Sequence, residues 1–133
     1  MFKVAFIFAL SGTCTCNEIH GMMSNDVKFD GPSITFKIEN PKYGIEKKFV
    51  ITSEPYFNIV KTYMGSRPLD LGESKFFLEY RNEKCTKKPI GKLKMHRLPE
   101  TVSEYLNIPN ADTYSWKSLR KSSHVIKMYK YCI

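Results

Sequence analysis

Apolar positions along this chain change their spacing several times, and each change predicts an element. Phe2 to Leu10 is an almost unbroken apolar run closed by the Ser11-Gly12 break, which predicts a buried helix; Asn17 to Met23 predicts the start of a second. Between Ser33 and Glu39 the period drops to two, with Ile34, Phe36 and Ile38 on one side and Thr35 and Lys37 on the other. Asp26 to Phe29 and Lys47 to Thr52 extend this into a small antiparallel sheet, with a turn over 40–44. Glu54 to Met64 returns to helical spacing through Tyr56, Ile59, Val60 and Tyr63, and Pro55 suits a first helical turn.

The second half is less regular. Arg67-Pro68 ends the third helix, and Phe76 to Tyr80 is too short an apolar run for periodicity to choose between strand and helix. Leu98 to Leu106 predicts a helix with Pro99 near its start and Val102, Tyr105 and Leu106 on one face. Trp116 to Tyr131 predicts the last helix, ending in a basic and aromatic face of Lys127, Tyr129, Lys130 and Tyr131. The expected fold class is mixed α/β (α+β), mostly helical, with a small antiparallel sheet near the N-terminus.

At 133 residues the chain makes a single domain, 1–133, and its 42% hydrophobic content argues for a packed core rather than disorder. Charge is segregated. Residues 1–80 are balanced, whereas residues 81–133 carry the whole net charge of +8. A one-sided positive charge attracts polyanions, nucleic acid being the usual case and an anionic membrane face the rarer one; its other reading is a solvated surface. No apolar run approaches the length of a membrane span, and no membrane partner is expected.

Four collinear blocks narrow the choice. They are SGTCTCNEI at 11–19, ITFKIENPKYGIEKKFVI at 34–51, KFFLEYRNEKCTKKPIGK at 75–92 and YLNIPNADTYSWKSLRKSS at 105–123. Together they resemble the catalytic domain of Crypton-type tyrosine recombinases, whose blocks read SGxCRxxEL, a lysine-bearing hairpin, FFxxYxxGKCTxQxIGK and YLxLPNxxxYTGHSxRRSS. The resemblance implies a tyrosine-recombinase-like domain lacking both the N-terminal DNA-clamping domain and the C-terminal nucleophile segment. It also implies a mobile-element origin, nuclear localisation, DNA as partner and no metal or other cofactor.

In that family two arginines, with histidine or lysine partners, hold the scissile phosphate while a tyrosine attacks it and a hairpin lysine protonates the leaving oxygen. Carried over position by position, Thr15 stands where the first arginine would be, Lys42 falls at the hairpin lysine, Lys117 replaces the histidine and Arg120 keeps the second arginine. Threonine supplies no bidentate cation for a phosphate. Losing one such donor typically costs roughly 3–4 kcal/mol of transition-state stabilisation. Lys117 can hold a phosphate as a point charge but is no imidazole base. Trp116 places a bulky ring at a family glycine, where a DNA backbone would approach. Tyr129 and Tyr131 read as aromatics on a helix face rather than nucleophiles. Lys42 has an ordinary reading too, as a turn lysine in water.

The expected function is therefore a non-catalytic, recombinase-derived DNA-binding domain with no strand-cleaving activity. The expected DNA contacts are Lys42, Lys87, Lys88, Lys92, Lys94, Arg97, Lys117 and Arg120, directed at the backbone and weakly sequence-selective. Lys84 to Arg97 also reads as exposed loop lysines without a ligand. Alternatives are a fragment of an active site-specific recombinase, and a recombinase fold reused for protein interaction or self-association through a truncated C-terminal face.

MFKVAFIFAL also imitates a secretory signal, in which case Cys14, Cys16, Cys85 and Cys132 would pair as disulfides in an oxidising compartment. The resemblance favours a core helix, with Phe6 and Leu10 packed against the sheet, and free thiols. Cys14, Cys16 and His20 lack a second close pair for a zinc site. His96 and His124 lack partners for nucleophilic catalysis. Glu18 is expected to cap or orient the first helix.

Overall fold

The computed structural model describes residues 1–40 and 44–123. Its first helix, α1 (Phe2–Gly12), is the centre of the core, with Val4, Ala5, Ile7, Phe8 and Ala9 buried. The Phe8 ring stacks on Phe36 at 4.3 Å between centroids and meets Phe76 and Phe77 at 5.6 and 5.9 Å. Phe8 thus makes the contact with the sheet. Phe6 and Leu10, expected there, are only partly buried and line a groove with Tyr56 and Ile59 instead. The reason is helical phase: Val4 and Phe8, four residues apart, share the inward face.

The sheet runs β1 (Val27–Asp30), β2 (Ser33–Asn40), β3 (Ile45–Ile51), antiparallel in that order. Register sets Val27 against Phe36 and Phe36 against Phe49, and Phe29 against Ile34 and Ile34 against Ile51. One face therefore carries the apolar residues to α1, while Lys28, Thr35 and Val50 occupy the other. At the end of α1, a Cβ on Gly12 would lie 2.6 Å from Cys14 Sγ and 3.0 Å from the Phe49 ring. Only glycine lets the chain pass this close to β3.

Helix α2 (Cys16–Gly21) follows, and a 3₁₀ turn at Ser24–Asp26 leads into β1. Helix α3 (Glu54–Ser66) buries Val60 and Tyr63, with a proline in its first turn as the sequence indicates. The Tyr63 hydroxyl donates to Phe76 O at 2.7 Å and accepts from Leu78 N at 3.0 Å, so α3 clamps the following strand. That strand, β4 (Leu78–Arg81), resolves the ambiguous apolar run. It forms a second, two-stranded sheet with β5 (Lys84–Pro89).

The β5 strand was expected as loop. Cys85 is its one buried residue and lysines occupy three of its six positions, Lys84, Lys87 and Lys88, so no apolar alternation announces it. Asn82 and Glu83, both with positive φ, make the tight turn that pairs it with β4.

Helices α4 (Lys92–His96) and α5 (Leu98–Tyr105) follow, and residues 116–123 form a further helix, α6. In α5 the inward residues are Leu98, Pro99 and Ser103, with Val102 partly buried. Tyr105 and Leu106, expected on one face with Val102, are 76% and 56% exposed and line an apolar cleft together with Val102, Phe2 and Phe6. Lys42, His124, Lys127, Tyr129, Lys130, Tyr131 and Cys132 lie outside the described residues. Among the described ones, no helix is long and apolar enough to cross a membrane, and Cys16 and Cys85 are free thiols. The architecture is the mixed α/β class expected.

Candidate nucleic-acid interface

The candidate site forms where α1, α2, α4 and α6 meet. Thr13, in the left-handed region at φ 53°, turns the chain out of α1. Thr15 then caps α2: its Oγ1 accepts from Glu18 N at 3.2 Å, and Glu18 Oε2 accepts from Thr15 N at 2.9 Å. This reciprocal pair is a capping box. Thr15 therefore has a structural task of its own, and Glu18 caps the second helix rather than the first.

Helix α6 spans the site. At its start, buried Trp116 donates its indole N–H to Met95 O at 3.0 Å. The ring belongs to the core, under α4, and does not stand in a path for DNA as the sequence suggested. Two turns further along α6, fully buried Ser123 donates to Leu10 O, and its hydroxyl lies 2.7 Å from Thr13 Oγ1. Lys117 and Arg120 sit between these two anchors, three residues apart and so on one face, Lys117 exposed and Arg120 half-buried. The turn bearing Thr15 and the helix bearing Arg120 are thereby brought together.

Helix α4 closes the third side. It packs on α2, and His20 Nε2 lies 3.0 Å from Ile90 O, fixing the link between β5 and α4 against α2. Cys16 and His20, four residues apart, share the face of α2 turned to this link. Burial raises the Cys16 thiol above its ordinary value, and the positive charge of Lys92 opposes that rise.

The other expected contacts divide by pairing. Lys87 bonds Asp70 at 2.9 Å, Lys94 bonds Glu79 at 3.2 Å, and Arg97 meets Glu100 at 3.5 Å. Asp70 and Glu79 are both held below the usual carboxylate range, each first by its lysine hydrogen bond. Surface pairs of this kind contribute little to stability and yield readily to a competing anion. Lys88, Lys92, Lys117 and Arg120 make no ion pair among the described residues. The Lys84–Arg97 segment is therefore a strand and a helix presenting cations rather than a loop.

Sequence reasoning missed an acidic counterpart. Bordering Thr15 and α2, a depression of about 890 Å³ is lined by Glu18, Asp26, Glu39 and Glu73, with Lys37 its one cation. Lys37 is held by Glu39 at 3.3 Å and Asp26 at 3.9 Å. The alternating charges of β1 and β2 carried that signal, but nothing in the sequence joined them to Glu73. Among the described residues no group of three or more His, Cys, Asp or Glu side chains is arranged to hold a metal.

No protein-family model matches the sequence, and no curated protein matches it. Its fold is similar to that of a solved XerH site-specific recombinase, a structure bound to its difH substrate as a pre-cleavage complex, with a TM-score of 0.65 over 97% of this chain. The fold is tyrosine-recombinase-like. Sequence identity is 10%, and the match spans 36% of the recombinase chain.

Proposed function

We propose that this domain binds duplex DNA through phosphate contacts without cleaving it, as a degenerate relative of Crypton-type recombinases. The observation that carries the reading is the placement of α6, which sets Lys117 and Arg120 beside the turn bearing Thr15 within a recombinase-like fold. The solved neighbour holds DNA, and the basic second half of this chain supplies the charge for a similar partner.

Cleavage would need a second phosphate clamp and a proton donor of suitable pKa. Thr15 is occupied in capping α2 and supplies no guanidinium, so charge on the phosphorane would be poorly neutralised. Binding asks for less, because point charges at the right spacing suffice. With about six phosphate contacts, affinity should fall roughly a thousandfold between 50 and 200 mM salt. Fluorescence anisotropy with a labelled duplex at those two concentrations tests this. Salt-independent or absent binding would sink the reading and leave the fold as a protein-interaction module. A covalent adduct on a nicked suicide duplex would instead overturn the non-catalytic part.

A further inference from the structure

Resting on the DNA-binding reading, we infer that Lys92 takes the phosphate contact left vacant at Thr15, so that the anion site is built from Lys92, Lys117 and Arg120. The geometry has three parts. The Cys16–His20 face of α2 is held against the residues leading into Lys92 by the 3.0 Å contact of His20 with Ile90 O. Cys16, the neighbour of Thr15, lies within reach of the Lys92 charge. Helix α6 bridges the same two elements, bonded to α4 through Trp116 and to the α1–α2 turn region through Ser123 and Thr13.

Lys92 is also chemically available. It is exposed, and it forms no ion pair among the described residues, whereas Lys87, Lys94 and Arg97 nearby all do. A lysine stem of four carbons lets the ammonium approach the turn from the neighbouring helix, replacing by reach what an arginine on the turn would supply by position. The Glu18 carboxylate beside the turn is engaged with Thr15 N. Thr15 also borders the acidic depression of Glu18, Asp26, Glu39 and Glu73, so a cation brought from α4 has carboxylate charge to offset before the turn can hold an anion.

The consequence is a specific non-additivity. A single phosphate contact scales affinity with roughly the −0.9 power of salt, so Lys92→Ala should weaken duplex binding roughly eightfold at 0.1 M salt. In a Thr15→Arg background the guanidinium reclaims the phosphate, and Lys92→Ala should then cost less than about twofold. Lys88→Ala, on the exposed face of β5, should cost the same in both backgrounds.

Because Thr15→Arg also removes a helix cap, a second measurement uses the parent and Lys92→Ala alone. Titrating an 8-base-pair duplex into labelled protein, amide resonances of Thr15, Cys16 and Lys92 should shift together, and the Thr15 and Cys16 shifts should vanish in Lys92→Ala. An unchanged affinity for Lys92→Ala, an equal loss in both backgrounds, or persistent Thr15 and Cys16 shifts would overturn the inference while leaving DNA binding intact. Failure of the parent to bind at all would overturn both.

Discussion

Trp116 and Met95 are joined by an indole-to-carbonyl hydrogen bond of 3.0 Å beneath a ring that is 5% exposed. A residue expected to obstruct DNA instead anchors the helix that would carry the DNA contacts. Trp116→Ala should destabilise the domain by about 3–5 kcal/mol, the usual cost of emptying a large aromatic site. Trp116→Phe should keep most of the packing and lose about 1 kcal/mol with the hydrogen bond. Urea denaturation of the two variants separates these terms, and equal losses would contradict the hydrogen-bonded geometry.

Thr15→Ala removes the hydroxyl that caps α2, and a loss of about 1 kcal/mol is expected. Thr15→Ser should be nearly neutral, since it keeps the oxygen acceptor. If both variants matched the parent in thermal melts, the capping box would contribute nothing and Thr15 would be free for another role.

Glu83 occupies the second position of the β4–β5 turn at φ 62°, where a side chain is disfavoured. Glu83→Gly should therefore stabilise the domain, by up to about 1 kcal/mol. Asn82 tolerates its own φ of 50° better and is left in place. A fall in denaturation midpoint would show that the Tyr80 hydroxyl contact with Glu83 O depends on the native backbone more than on relief of strain.

Burial pushes the Tyr63 phenol well above its ordinary value, because ionising it would place a charge in the core and remove the proton donated to Phe76 O. The folded chain thus keeps a proton that the unfolded chain releases above a pH of about 10. Stability is unaffected by this group below that pH and falls as pH rises beyond it. Tyr63→Phe should abolish that portion of the alkaline slope, at an initial cost of about 1–3 kcal/mol for the unpaired Phe76 O and Leu78 N. Denaturation midpoints at pH 8 and 11 read the difference.

Much of the architecture was legible because its elements bury one face. Phe36 and Ile34 alternate with polar residues, and Val60 and Tyr63 recur at helical spacing, so strand and helix declare themselves. The β5 strand did not, since only Cys85 is buried and three of its other five positions are lysine. On α5, Val102, Tyr105 and Leu106 share one face as their spacing indicates, but the spacing did not reveal that Tyr105 and Leu106 stay exposed while Ser103, buried and bonded to Pro99 O at 2.8 Å, takes the inward position. The alignment of Thr15 with Arg120 came from motif order alone. Their proximity depends on Ser123 reaching Leu10 and Thr13 across the fold, which no local pattern encodes.

Helix α6 behaves mechanically as a beam held at two joints, Trp116 and Ser123. These lie seven residues apart, about 10 Å at 1.5 Å each, and neither Lys117 nor Arg120 can advance toward a ligand without loading one of them. Any force a bound backbone exerts on those cations is therefore delivered into the C-terminal end of α1, the most deeply buried helix of the domain. Surface contact and core rigidity are in this way a single property of the molecule.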